Sequence, residues 1–188
     1  MKIFFTSDLH FSHKNAIGFD QRPYFTVSEM NEDLIQRWNV KVGKGDLVYV
    51  LGDMFWQNDC EFIQNTLKRL NGQIVLIKGN HDRWLHNAEN KKLLAGVKDY
   101  DDIKVTLKDG TIKRCILSHY PIHFYNAHYY GAIMLYGHVH DTKEYALTKE
   151  VTELMNKRDC PVEMYNVFCG LYDYTPVTLD EILERNRE

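Results

Sequence analysis

The chain predicts an α/β fold built from two stacked sheets flanked by helices. Three observations carry that expectation. Short apolar runs rich in Val and Ile (Lys2–Ser7, Leu47–Leu51 and Ile74–Ile77) alternate with helical patterns, as buried strands of an α/β sheet do. Two further runs, Ile103–Leu107 and Ile112–Leu117, flank Asp109-Gly110, a hairpin signal that points to an antiparallel later half. Each early apolar run also stops at a polar residue of a restricted kind: Asp8 and His10, then Asp53, then Asn80 and His81.

The helices are signalled at their starts. Thr26 with Glu29 makes a capping-box pattern, followed by Met30, Leu34, Ile35 and Trp38 on one face. Asn58 with Glu61 is expected to open the next helix, with Phe62, Ile63, Leu67 and Leu70 as its stripe and Gly72 as its stop. Further strands are expected at Ile133–Tyr136 and Val162–Val167, and Thr178 with Glu181 caps a final helix carrying Leu179, Ile182 and Leu183. With no repeat, linker or composition break, residues 1–188 are expected to form a single domain.

Composition narrows the function classes. At 188 residues a core forms without disulfide or metal staples, because roughly 70% of the unfolded surface can be buried. Hydrophobic residues at 44% and charged residues at 26% exclude collagen-like and disordered chains. Apolar stretches fall far short of the ~18 residues of a membrane span, and Asp8 follows too soon for a leader core, so a soluble cytoplasmic protein is expected. The net charge of −3 lacks the basic stripe of a general nucleic-acid binder. Cys60, Cys115, Cys160 and Cys169 form no C-x-x-C pair and read as reduced core thiols.

The polar residues at the strand ends are the informative ones. His119 and the pair His138 and His140 extend the series, and in open α/β sheets sites form at the carboxyl ends of strands. Singly, each fragment reads as a turn. Jointly, Asp8-Leu9-His10, Gly52-Asp53, Gly79-Asn80-His81-Asp82, His119 and Gly137-His138-Val139-His140 resemble the five motifs of the calcineurin-like metallophosphoesterase superfamily, in the family's order. Ser7–Ile17, Arg22-Pro23-Tyr24 and Val48–Asp53 are also similar to a small bacterial and phage subgroup.

The resemblance implies a four-layer α/β/β/α sandwich and a pair of divalent metals. Asp8, His10, Asp53 and His140 would hold the first; Asp53, Asn80, His119 and His138 would hold the second, with Asp53 bridging. Mixed imidazole and carboxylate donors suit Mn, Fe, Ni, Co or Zn. Against Asp8, Asp53 and a bridging hydroxide, two such ions leave a net positive site for phosphate. The resemblance makes His81 the acid that protonates the leaving oxygen, with Asp82 either orienting it or shaping the turn.

One departure bears on the substrate. Protein phosphatases of the superfamily continue into an Asp-Arg pair whose arginine clamps phosphate, whereas Met54, Phe55, Trp56 and Gln57 follow Asp53 here. A diester, with one charge fewer than a monoester, is the expected substrate, small and with nucleotides among the candidates. His13 and Arg22 are candidate substrate contacts, and Arg83 is an alternative clamp. Aromatic residues crowd the motifs (Phe11, Phe55, Trp56, Trp84, Tyr120, and the run Phe124, Tyr125, Tyr129, Tyr130), of which Trp56 and Trp84 are the candidate stacking platforms. The alternatives are a phosphomonoesterase or nucleotide pyrophosphatase, a nuclease disfavoured by charge, and a metal-stabilised scaffold without catalysis. No membrane or protein partner is expected, and the chain is expected to be a monomer or homodimer.

Overall fold

The computed structural model describes residues 1–186. Strands β1 (Ile3–Thr6), β2 (Leu47–Val50), β3 (Gln73–Ile77) and β4 (Gly96–Lys98) form one sheet in sequence order, every pair parallel. Strands β5 (Tyr100–Thr106), β6 (Ile112–Ser118), β7 (Ile133–Tyr136) and β8 (Glu163–Asn166) form the second, also in sequence order. The helices are α1 (Lys14–Phe19), α2 (Val27–Lys41), α3 (Cys60–Arg69), α4 (Ala88–Lys91), α5 (Lys143–Lys157) and α6 (Leu179–Arg185).

Strand alternation sorts the side chains into layers. Phe5, Tyr49, Leu51, Val75 and Ile77 point between the sheets, where they meet Val105, Cys115, Leu117, Ile133 and Leu135. Their neighbours Phe4, Val48, Val50, Ile74 and Leu76 point the other way, onto Met30, Leu34 and Trp38 of α2 and Ile63 and Leu67 of α3. On the far side of the second sheet, Ile116, Met134 and Tyr136 pack with Tyr145 and Met155 of α5. The order is helix, sheet, sheet, helix, as expected from the resemblance. Each fully buried side chain of this size contributes roughly 1.5–3 kcal/mol of burial free energy.

Several local expectations change. The later half is not antiparallel: only β5 and β6 are, while β6, β7 and β8 run parallel. Parallel neighbours need a crossover, and α5 supplies it between β7 and β8. The sequence reading misses α5 because Thr148 alone on it is fully buried, so its apolar stripe is weak. Helix α3 is capped by Asp59, not Asn58: the Asp59 carboxylate accepts from the N–H groups of both Glu61 and Phe62. The Thr26 hydroxyl accepts from Glu29 N as expected, but Glu29 reaches back to Phe25 N. At α6 both halves of the capping box form. Cys115 and Cys169 are buried thiols, whereas Cys60 and Cys160 are half-buried. Among the described residues no helix is long and apolar enough to cross a membrane.

After β8 the chain returns to β1. Phe5 and Val177 exchange backbone hydrogen bonds of 2.7 and 2.9 Å, and Cys169 N donates to Ser7 O at 3.1 Å. These bonds tie the segment after β8 to β1, the edge strand of the first sheet, and to Ser7, the residue before Asp8. The layer between the sheets is therefore what holds the strand ends in register. Leu135→Ala, at a fully buried inter-sheet position, should destabilise the metal-free protein by about 2–5 kcal/mol, read from the shift of its denaturant midpoint.

Candidate metal centre

The strand ends converge on one edge of the sandwich. Asp8 follows β1 and Asp53 follows β2, and their loops continue the ladder: Asp8 N donates to Gly52 O at 3.0 Å and His10 N to Asp53 O at 3.0 Å. Asn80 and His81 follow β3, His119 follows β6, and His138 and His140 follow β7. Asp8, His10, Asp53, His138 and His140 all have φ between 46° and 69°, the left-handed region that non-glycine residues avoid. Close packing explains two of the motif glycines: a Cβ on Gly52 would collide with the His119 ring, and one on Gly79 with the Asp53 carboxylate.

Each aspartate has one oxygen anchored and one free. Asp8 Oδ2 accepts from His138 N at 3.0 Å, and Asp53 Oδ1 accepts from His81 N at 2.9 Å. Asp8 Oδ1 is buried with no hydrogen-bond donor, and His140 Nε2 stands 3.4 Å away. Asp53 Oδ2 lies 3.9 Å from His10 Nε2 and 3.7 Å from His119 Nε2. Ring nitrogens face one another across the same space: His10 Nε2 and His140 Nε2 at 3.3 Å, His119 Nε2 and His138 Nδ1 at 3.2 Å. Asn80 Oδ1 is 3.0 Å from His119 Nε2.

The outward nitrogens explain which ring atom faces inward. His119 Nδ1 lies 2.8 Å from Leu51 O, a pure acceptor, so it carries the proton and Nε2 is left bare. His140 Nδ1 lies 2.6 Å from Asp20 Oδ1 and keeps its proton there, so Nε2 is the nitrogen that gives up its proton to a metal. His10 Nδ1 faces His13 Nδ1 at 3.4 Å. Converging lone pairs, an orphaned carboxylate oxygen and hard-to-borderline donors are what a divalent transition metal requires. The ligating atoms of Asp8, His10 and His140 lie within 4.8 Å of one another, as do those of Asp8, Asp53 and His119. The residues present fit a metal.

Burial shapes the charges. It would raise the Asp8 pKa, but His140 outweighs it and holds the carboxylate well below its usual range. Burial pushes Asp53 up to about 7, helped by the Asp8 charge against the pull of His119. It lowers His10 to about 3. For His140, burial works downward but the Asp20 and Asp8 carboxylates prevail and raise it to about 9. Burial, with the Arg83 charge, lowers His81.

Two expected substrate contacts, Trp84 and Arg22, are revised, and of the two alternatives for Asp82 the geometry favours shaping the turn. Asp82 does not orient His81: its carboxylate accepts from Gly79 N, Asp53 N and Met54 N and from the Trp84 indole, at 2.8–3.0 Å, so it pins the two motif loops together. Trp84 is only 1% exposed, packed edge-on to Phe55, and offers substrate no face. Arg22 is 4% exposed and is no phosphate clamp, since its guanidinium is consumed by Asp20, Leu9 O and Asp8 O. Phe11, Phe55 and Tyr125 are buried braces. His13 and Trp56 do reach the site: they stack at 3.6 Å, and Trp56 keeps 42% of its surface exposed. Sequence reasoning missed Asp20 and Phe19, which no motif or periodicity marks. Both line the cavity of about 310 Å³ over the cluster, with Trp56, Asn80 and His81.

Comparison with known proteins agrees with this geometry. The calcineurin-like phosphoesterase family model matches residues 1–159. The uncharacterized protein MJ1445 of Methanocaldococcus jannaschii is 33% identical over 184 residues, covering 97% of this chain and 90% of that one. The gene 66 protein of Mycobacterium phage D29 is 29% identical over 158 residues, covering 73% and 78%. A crystal structure of the Aquifex aeolicus protein of unknown function AQ665 superposes with a TM-score of 0.68 at 26% identity, covering 97% of both chains.

A metal must displace the proton that His140 holds up to about pH 9 and that Asp53 holds up to about 7. Apparent affinity of the metal-free protein for Mn(II) should therefore rise with pH to about 9, more steeply below about 7. Calorimetry in buffers of different ionisation enthalpy reads the released protons; affinity flat across that range would contradict the assignment.

Proposed function

We propose, from the premise that this chain belongs to the calcineurin-like phosphoesterase family, that it is a phosphohydrolase with two metal positions acting on a small phosphodiester. The observation that carries the proposal is the placement of Asp53 Oδ2, within 4.0 Å of ring nitrogens from both donor groups and of His81 Nε2. Asp8, His10, Asp53 and His140 would hold one ion, and Asp53, Asn80, His119 and His138 the other. Divalent ions there would supply Lewis-acid charge to the phosphate and a water acidified to a pKa of about 7.

The chain's own groups do the rest. His81 is anchored through its backbone to Asp53, while its ring stands at the cavity mouth beside Trp56, 4.5 Å between centroids. It is the group placed to give a proton to the leaving oxygen. Although burial lowers its pKa in the free protein, an anionic phosphate beside it favours the charged ring. Among the described residues no arginine or lysine lines the cavity. A monoester dianion would lack a bidentate clamp there, which favours the singly charged diester. The Trp56 face opposite His13 and the exposed Phe19 give a flat leaving group, such as a nucleobase, a surface to stack on.

Elemental analysis and a screen of the metal-loaded protein over cyclic nucleotides, dinucleotides, nucleotide sugars and monoesters test this reading. Two ions per chain and preference for diesters are expected. Full activity with a single ion, or a preference for monoesters, would overturn it. His81→Ala should lose roughly 10²–10⁴ in kcat with its metals retained, and the loss should shrink for a p-nitrophenyl diester, whose leaving group needs little protonation. Trp56→Ala should weaken nucleotide diesters by about tenfold, mainly through KM, while sparing a small alkyl diester.

A further inference from the structure

Helix α1 and the turn after it contribute none of the proposed ligands, yet Asp20 and Arg22 at its end touch the loops after β7 and β1 that carry the first position's donors. Asp20 Oδ1 accepts from His140 Nδ1 at 2.6 Å, in the loop after β7. Asp20 Oδ2 accepts from Arg22 Nε at 3.0 Å and Nη2 at 2.8 Å. The same guanidinium donates to Leu9 O at 2.8 Å and Asp8 O at 2.9 Å, in the loop after β1. These carbonyls bracket the left-handed turn that presents Asp8 and His10. Both side chains are almost fully buried, so the ion pair is barely screened by solvent.

We propose that Asp20, held by Arg22, is a positioning residue that fixes the direction and tautomer of His140 and makes the two metal positions unequal. The inference rests on the two-metal reading above. The inequality follows from what stands behind each ring. A carboxylate behind His140 raises the donor strength of its inward nitrogen. His119 has only the neutral Leu51 carbonyl, and His10 has the neutral His13 ring. An ionised carboxylate accepts only, so His140 must keep its proton on Nδ1 and offer Nε2 inward. The His140 ring is also braced by Phe168, stacked at 4.6 Å, so its remaining freedom is rotation in plane, which the Asp20 bond removes.

The test is calorimetric titration of metal-free protein with Co(II), alongside the visible absorption of the bound ion. The wild type should bind in two steps. Asp20→Asn should weaken one step about 10–100-fold, alter the Co(II) absorption, and leave the other step within about threefold. In a His140→Ala background the same substitution should change nothing, because Asp20 acts through that ring. If Asp20→Asn strands the Arg22 charge and prevents folding, Asp20→Asn with Arg22→Gln removes both charges, and the weakened step should persist. Folded variants that bind with wild-type affinity in both steps, or an equal loss with and without His140, would reduce Asp20 to a charge partner for Arg22. A wild type that binds no metal would instead overturn the proposed function itself.

Discussion

The structure depends on holding a dense group of imidazoles and carboxylates, stripped of most of their water, at one edge of two sheets. Such a group is unfavourable unless every outward-facing atom has a partner and a cation can neutralise the inward-facing ones. The chain meets the first condition for both aspartates and for two of the imidazoles. Backbone N–H groups of His81 and His138 hold one oxygen of Asp53 and of Asp8, and Leu51 O and Asp20 hold His119 and His140. What is left unpaired points at a common centre, and the perturbed protonation of Asp53 and His140 in the metal-free protein is the electrostatic consequence.

Holding that arrangement requires backbone that local preference opposes. Left-handed φ values recur through the loops after β1, β2 and β7, each costing about 1 kcal/mol or more for a residue with a Cβ. Asp82 offsets part of it by accepting four N–H groups at once and locking the β2 and β3 loops to one another. Arg22 does the corresponding work for the β1 loop. Both are charged residues whose contribution is to fix peptide planes, and both lie outside the set that points inward. Rigidity of the centre is thus assembled from side chains that never face the cavity.

The open side has the opposite character. Trp56, Phe19 and Tyr120 are partly or largely exposed around the donors, with Tyr120 edge-on to His119 and His138. Phe19 and Trp56 line the cavity over the donors, and among the described residues no lysine or arginine does. Charge recognition is left to the centre, and shape recognition to the rings. That division suits a substrate with one negative charge and a flat substituent better than one that needs an arginine fork.

The order of the motifs, the early strands and the helix caps at Thr26 and Thr178 were legible from residue order, because each depends on neighbours a few positions away. The seven inward donors follow strands whose alternation is a local property, so their convergence could be expected from the fold class. The fates of Trp84, Arg22 and Asp82 could not. Whether a tryptophan near a motif faces substrate or a carboxylate, and whether an arginine meets phosphate or two carbonyls, is decided by which surface packs over it. Asp20 shows the limit most plainly: its partner His140 is 120 residues away, and no spacing in the sequence encodes that pairing. The parallel pairing of β7 with β8 was decided the same way, by α5 crossing over a sheet whose far face it covers. Long-range burial, which has no signature in a short window of sequence, set those outcomes.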